Sequence, residues 1–567
     1  MIARADAIAA LASDPFDVVV IGGGITGAGV ALDAAARGYS VGLVEKGDYA
    51  VGTSSRSSKL VHGGLRYLQQ FDLGLVREAL LERQLMVALA PHLVKPLPFV
   101  VPAFDGARPD RIMGVGLNMY DVLAVDKLRR PRGGRARRRR GDDPPDAKSA
   151  NAPAAEWSPE RHRVISGEEV AELAPALAAR APTSGYLFYD CQTDDVRLVL
   201  TVLGEAERFG AVCANRLEAI ELVERDGRTA GVSVRDSESG EEFHVRADNV
   251  VNATGVWADR LRPEELRDEA EVPVIRPSRG THITLSSDDL PLRCGMIVPA
   301  TAGRTIFALP WHGHSLIGTT DNDYDGDIDH VRPSDDDVDY LLEGTNSFFG
   351  ADLGRGDVAG AYAGVRPLIA TGDTKKSVDI SRRAELYETS SGMITITGGK
   401  LTTWRRMAKM VVDRLVERDG REAPCRTHEI PLGMAIDANE LPRVEGVDDR
   451  AYPALAARYG HAAHEVLQVA SERGELAQPL VGGCPDLLAE VVFSARREQA
   501  LAVSDVLLRR TRVGLLAARE LCAPGSAAPE RVARALAGEL GWDEREVAAA
   551  VEAFRADATD EGIVVDA

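Results

Sequence analysis

Gly22, Gly24 and Gly27 form a G-x-G-x-x-G directly after the apolar run Val18–Ile21, and Glu45 closes the next apolar run. That spacing suits the binding of a pyrophosphate. Gly22 makes the tight turn, Gly24 lets a phosphate approach the backbone, and Gly27 lets the following helix pack close to the strand. The helix N-terminus presents free N–H groups to the phosphates, while Glu45 sits where a carboxylate binds ribose hydroxyls. A glycine turn alone is common. Strand, helix and acid in register predict a dinucleotide site. Two further segments look fitted to the same elongated ligand: VVNATGVWAD at 250–259, with Gly255 after a buried strand, and ITITGGKLTTWRRMA at 394–408, with Gly398-Gly399 and a helix starting near Lys400. A glycine-opened helix near the end of the fold can aim its positive end at the N1/O2 edge of a reduced flavin. Three such segments in this order favour FAD over NAD.

The elements that must hold these residues read as an α/β protein with a helical tail. A chain of 567 residues has room for two or three domains and a large core. Helical periodicity runs over 73–90. A strand-rich middle follows, with alternating runs at Arg216–Val223, Ala230–Val234 and His282–Leu285 and a buried strand at Asn249–Ala253. Beyond about residue 430 the composition turns Ala/Leu/Glu/Arg-rich, and LLAEVVFSARREQALAVSDVLLRR is the clearest helical stretch. The expected organisation is therefore interleaved FAD-binding and substrate-binding regions over 1–430 and an all-α C-terminal domain over 431–567.

Charge and composition narrow the partners. A net charge of −20 argues against nucleic acid. Six scattered cysteines without a C-x-x-C pair suit reduced thiols in the cytoplasm, not a disulfide framework or a zinc site. The acid-containing N-terminal stretch lacks the apolar core of a secretory signal, and no run of 18 apolar residues is present, so membrane contact would be peripheral. Against the acidic background, Lys127–Arg140 carries nine positive charges, and residues 129–156 read as a flexible insertion. The bland reading is a solvated loop; the sharper one is a tether to anionic lipid, at about 1 kcal/mol per basic residue. Asp321–Arg332 mimics a calcium loop through Asp321, Asp323, Asp325, Gly326 and Ile328, but Arg332 stands where a bidentate Glu is needed. It reads as an acidic turn, and no metal site is expected.

Taken together, VVIGGGITGAGVALDAAARG, TSSRSSKLVHGGLRYL (53–68), DDVRL (194–198), NATGVWAD (252–259), RGTHI (279–283), LPWHGHSLIGTTD (309–321), AGVRPL (363–368), TGGKLTTWRRMA (397–408) and DVLLRRTRVGLL (505–516) resemble the FAD-dependent glycerol-3-phosphate dehydrogenases. The match covers nearly the whole chain and departs at the Arg-rich insertion, where that family has a shorter loop. The resemblance implies a Rossmann-like FAD-binding domain interleaved with a mixed-sheet substrate domain of the glycine- and D-amino-acid-oxidase kind. It also implies oxidation of sn-glycerol 3-phosphate to dihydroxyacetone phosphate with electrons passed to quinone, at the inner face of the cell membrane. A homodimer is left open. The alternatives are an oxygen-using oxidase, a related 2-hydroxy acid or amine flavoenzyme, and a catalytically silent flavin scaffold.

Beside that resemblance the chemistry can be placed on residues. Oxidising a secondary alcohol with a flavin requires hydride transfer and removal of the hydroxyl proton, and a phosphorylated substrate needs cations to hold a dianion. Arg66, in HGGLRYL, and Arg366, in GVRPL, are the arginines expected in the pocket, the alternative for each being a buried salt bridge. His282 is the favoured base, since imidazole titrates near neutrality; His62, beside Gly63-Gly64, is its rival and a candidate flavin contact. Lys400 offers positive charge to flavin or substrate, or is a plain helix-start lysine. Ser54, Ser55, Ser58 and Lys59 suit phosphate and isoalloxazine contacts, with Ser58 and Lys59 preferred. Gly64 completes the expected cofactor lining.

Overall fold

The computed structural model describes residues 1–65, 72–106, 110–124, 161–261, 274–301, 304–370 and 384–566. Arg66 and the Arg-rich insertion lie outside them. At the centre of the first sheet is strand Pro15–Ile21, whose Val18, Val19 and Val20 are completely buried. An unbroken apolar run suits a strand covered on both faces. It lies parallel to Val41–Val44 on one side and to Glu242–Asn252 on the other. Val212–Ala214 and Ile394–Gly398 extend the parallel sheet in the two directions, and Ala384–Glu388 closes one edge antiparallel. Leu217–Arg225 and Arg228–Asp236 form a hairpin joined antiparallel to Glu242–Asn252.

Helix Ile25–Ala36 lies against this sheet at unusually close range, because its contact residues are small. A Cβ on Gly27 would stand 1.8 Å from the Gly22 carbonyl oxygen, and one on Gly29 would stand 2.6 Å from the Trp404 ring. Trp404 opens helix Trp404–Asp419, so two helices that start at glycine turns pack on each other.

The second sheet is mixed. Its long antiparallel pair, Val274–Ser286 with Val358–Ala370, sets Thr281 opposite Ala363 and His282 opposite Tyr362. His314–Gly318, Thr305–Trp311, Gly295–Pro299, Lys95–Ala103, Ser184–Gln192 and Leu60–Val61 continue it in that order. Leu60–Val61 directly follows the serine-rich loop, so this sheet grips one end of a segment whose other end leaves the first sheet.

The tail is helical, with Ala451–Tyr459, Ala463–Glu472, Leu488–Glu498, Ala528–Leu540 and Glu544–Glu561 as its main helices. One hydrophobic cluster runs from Phe99, Phe188 and Tyr362 of the second sheet into Leu455, Val492 and Phe554 of these helices. The stretch expected to be one clear helix over 487–510 is broken. Gln499 takes a left-handed φ of 52°, and a separate turn covers Asp505–Arg510. The cause is tertiary: the Gln499 amide donates to Cys213 O at 2.9 Å and its oxygen accepts from Tyr49 and Asn215, both beneath the first sheet's loops. Among the described residues no helix is long and apolar enough to cross a membrane.

Candidate active site

The strand ends of the first sheet and the face of the second enclose a cavity of about 1520 Å³. Gly22, Gly24, Ile25, Thr26 and Glu45 line one end, which puts the N-terminus of helix Ile25–Ala36 on the cavity. Gly22 has φ +114°, and a Cβ there would press within 2.7 Å of Ala253 O, so only glycine fits. Ser54 Oγ accepts from the Ile25 N–H at 3.0 Å and caps that helix. Glu45 is buried, and its carboxylate accepts from Gly23 N at 2.6 Å and Gly47 N at 2.9 Å. Burial pushes its pKa up, while those two donors oppose the rise. Each carboxylate oxygen keeps a second lone pair for a ligand hydroxyl.

Gly255, Gly398 and Gly399 also line the cavity, with φ of +61°, +75° and +72°. Lys400 follows them as a short turn, Leu401–Thr403, leads into helix Trp404–Asp419. Gly64 (φ +76°) and His62 line the wall between, the His62 N–H donating to Thr402 Oγ1 at 3.2 Å. Three distant glycine segments therefore share one elongated cavity. A positively charged helix start at one end, a carboxylate beside it and glycine backbone at the other fit an extended dinucleotide such as FAD.

His282 and Arg366 open onto the same cavity from the paired strands of the second sheet. His282 is only 2% exposed; its Nε2 is 2.8 Å from Ser58 Oγ, and its ring stacks on Tyr362 at 4.8 Å with 10° between planes. Burial, then the nearby charges of Lys59 and Arg366, hold its pKa well below the ordinary imidazole value. It is neutral near pH 7, the form that can take a proton. Arg366 Nη2 donates to Thr319 Oγ1 at 2.9 Å and Thr320 O at 3.1 Å, and Nη1 lies 3.5 Å from Asp321 Oδ1. Arg366 thus faces the cavity with the Asp321 carboxylate beside it, and Asp321 lines the same cavity.

One expected cofactor contact is corrected. Lys59 is completely buried and absent from the cavity wall; its ammonium is held by Asp195 Oδ2 at 2.8 Å, Oδ1 at 3.0 Å and Ser55 O at 2.6 Å. Its left-handed φ of +58° turns the side chain away from the ligand side that Ser58 lines. In the acidic turn after Asp321, Asp321 accepts from Ser278, and Asp329 accepts from Lys46, Trp257 and Arg260. Sequence reasoning passed over Tyr362, Thr319, Asp195 and Arg512. The last two lie in DDVRL and DVLLRRTRVGLL, motifs that stood out without a role.

The FAD dependent oxidoreductase family matches residues 17–414, and the family described as the C-terminal domain of alpha-glycerophosphate oxidase matches residues 425–547. Glycerol-3-phosphate dehydrogenase 2 of Mycobacterium tuberculosis is 37% identical over 558 residues, covering 96% of this chain and 89% of that protein. A mitochondrial glycerol-3-phosphate dehydrogenase of Arabidopsis thaliana is 35% identical, covering 95% and 85%. Among solved structures, the glycerol-3-phosphate dehydrogenase of Bacillus halodurans complexed with FAD superposes with a TM-score of 0.76 at 28% identity, covering 99% of this chain and 97% of that one.

Proposed function

The chain belongs to the FAD-dependent oxidoreductase family, here joined to the C-terminal domain of alpha-glycerophosphate oxidase, and from that premise we propose that it oxidises sn-glycerol 3-phosphate to dihydroxyacetone phosphate and passes the electrons to a quinone. The observation that carries this reading is the sharing of one cavity by His282, Arg366 and the three glycine segments. Gly22, Gly24, Glu45, Gly255, Gly398 and Gly399 would hold FAD, with Ser54 fixing the helix start beneath it. Bound FAD supplies the two-electron acceptor for the hydride leaving the substrate carbon.

The protein's own residues handle the phosphate and the proton. Arg366 offers a guanidinium fork to the dianion, with Lys400 as a further positive charge on the same cavity. Arg66 is assigned to the same task on its motif alone. Ser58 is the accessible member of its pair with His282: its hydroxyl takes the substrate's hydroxyl proton as it passes its own to His282 Nε2. Burial of His282 keeps that nitrogen unprotonated and ready. Sequestering the pair also limits proton exchange with water.

The quinone and the membrane belong to the same proposal. Helix Arg111–Ala124 lines the cavity with Ile112, Met113, Val115, Gly116 and Met119, and Ile112 (82% exposed) and Val115 (61%) at its rim join Val122 (64%), which lies off the cavity, as exposed apolar side chains. An apolar ridge at the cavity mouth supports peripheral docking on the inner face of the cell membrane, where a lipid-soluble acceptor is met. Anaerobic addition of glycerol 3-phosphate tests the whole reading. The flavin band bleaches, and a quinone analogue restores it faster than oxygen does. An unchanged spectrum refutes the enzyme, and faster recovery with oxygen makes it an oxidase.

A further inference from the structure

Ser57 places two of its polar groups on one carboxylate. Its backbone N–H and its hydroxyl donate to Asp195 Oδ2 at 3.2 and 2.7 Å. The same carboxylate receives the Lys59 ammonium and the guanidinium of Arg512, which comes from the C-terminal domain. Arg512 also donates to Asp194 and, at 3.4 Å, to Ser55 O. Asp195, Lys59 and Arg512 are 0%, 0% and 1% exposed. Lys59 and Arg512 both sit in the left-handed region, at φ +58° and +67°. Long side chains hold that conformation only where their surroundings dictate it, and here the shared carboxylate does so.

Two contacts lead from this hub to His282. Ser58, the next residue, bonds His282 Nε2 at 2.8 Å. The carbonyl of Ser57 accepts from the Tyr362 hydroxyl at 2.8 Å, and the Tyr362 ring stacks on the imidazole. One neighbour of the histidine is thus the residue next to Ser57, and the other is held by Ser57 itself.

We infer that Asp195 is a positioning residue for the Ser58–His282 pair, and that the C-terminal domain holds it in place through Arg512. The tail therefore acts on the proton-accepting pair without reaching the cavity. This rests on the reading of Ser58 and His282 as that pair. A purely structural cluster would stabilise the fold and leave the chemistry untouched, so the test must read the chemistry.

Ser57→Ala removes one hydroxyl, and Arg512→Lys keeps the charge without the fork; both are milder than truncating Asp195. Each holoenzyme is reduced anaerobically with glycerol 3-phosphate in a stopped-flow instrument, with flavin occupancy recorded. The His282 titration is followed by carbon-13 NMR of labelled histidine, assigned by its absence in His282→Asn. His282 is faced by Lys59, Arg366, Ser58 and Tyr362, and the first two disfavour its protonation. In Ser57→Ala the limiting reduction rate falls about tenfold, while half-saturation moves less than about threefold and flavin occupancy holds. The His282 titration moves up toward its ordinary value as the ring loosens from Ser58 and Tyr362. Arg512→Lys shows the same changes in smaller measure. A wild-type His282 titration in both variants overturns the inference, even if they melt earlier. Wild-type protein that glycerol 3-phosphate fails to bleach removes the substrate reading instead, and the titration alone then decides the role of Asp195.

Discussion

A side chain at position 24 would begin 3.1 Å from Ser54 Oγ, the atom that caps helix Ile25–Ala36, and would extend into the cavity. Gly24→Val therefore purifies without yellow colour while keeping its circular dichroism; full flavin occupancy in that variant contradicts the fingerprint as a cofactor site. Arg366 separates charge from geometry. In Arg366→Lys the positive charge remains beside Asp321, but the fork that grips a dianion is lost. A charge-assisted hydrogen bond is worth on the order of 1.5–3 kcal/mol, so kcat/KM for glycerol 3-phosphate falls roughly ten- to a hundredfold while FAD binding holds. Unchanged kinetics reduce Arg366 to a brace for the Thr319–Asp321 segment. At this scale the sequence was most legible where chemistry and backbone agree. The glycines of the three turns are readable because positive φ, at Gly22, Gly255, Gly398 and Gly399, and close approach, at Gly22 and Gly27, both favour glycine. Lys59 was misjudged because a lysine in a serine-rich loop carries no local sign of burial; its partner is 136 positions away, in a helix start that looks like any other.

Elements were legible in proportion to how local their causes are. The central strand follows from its unbroken apolar run before a glycine turn, and helix Leu73–Leu89 and the hairpin strands from periodicity. The break at Gln499 does not, because an Ala/Leu/Arg-rich stretch favours helix until the first domain claims its side chains. Just beyond that break, Arg510 donates to Asp48 at 2.6 and 2.7 Å, and Arg509 reaches the same carboxylate. Burial would raise the pKa of Asp48, but Arg510 and Arg509 outweigh it and leave the group strongly acidic. Asp48 lies on the loop that follows the Glu45 strand, so this bundle ties the tail to the cofactor side of the first sheet. Removing one partner of a buried pair leaves the other charges uncompensated, at a cost of about 3–5 kcal/mol. Asp48→Asn accordingly lowers the temperature at which flavin is released and that at which the tail unfolds, in one transition. Two separated transitions, or no change, would make the tail a unit that folds without this tie.

At the scale of the molecule, electrostatics and apolar surface pull in opposite directions. A protein of net charge −20 is repelled by an anionic bilayer, so the proposed docking would have to come from apolar insertion, from a local basic patch or from both. The basic candidate is the nine-charge run at 127–140, and the apolar one is the outward ridge of helix Arg111–Ala124. The ridge lies on the helix that lines the cavity through which a lipid-soluble acceptor would approach. Burying one valine side chain is worth roughly 1.5–3 kcal/mol, so Val122→Asp weakens partition onto lipid vesicles at least about tenfold. Val122 does not line the cavity, and turnover with a soluble dye survives the change. Deleting 129–140 leaves vesicle binding near wild type at physiological salt, where electrostatic attraction is screened beyond about 8 Å. The opposite pattern, with Val122→Asp still bound and the deletion variant released, moves docking to the basic run. In that case high salt must also strip the intact protein from the vesicles, because an attraction carried by exposed charges cannot survive a Debye length of about 3 Å at 1 M.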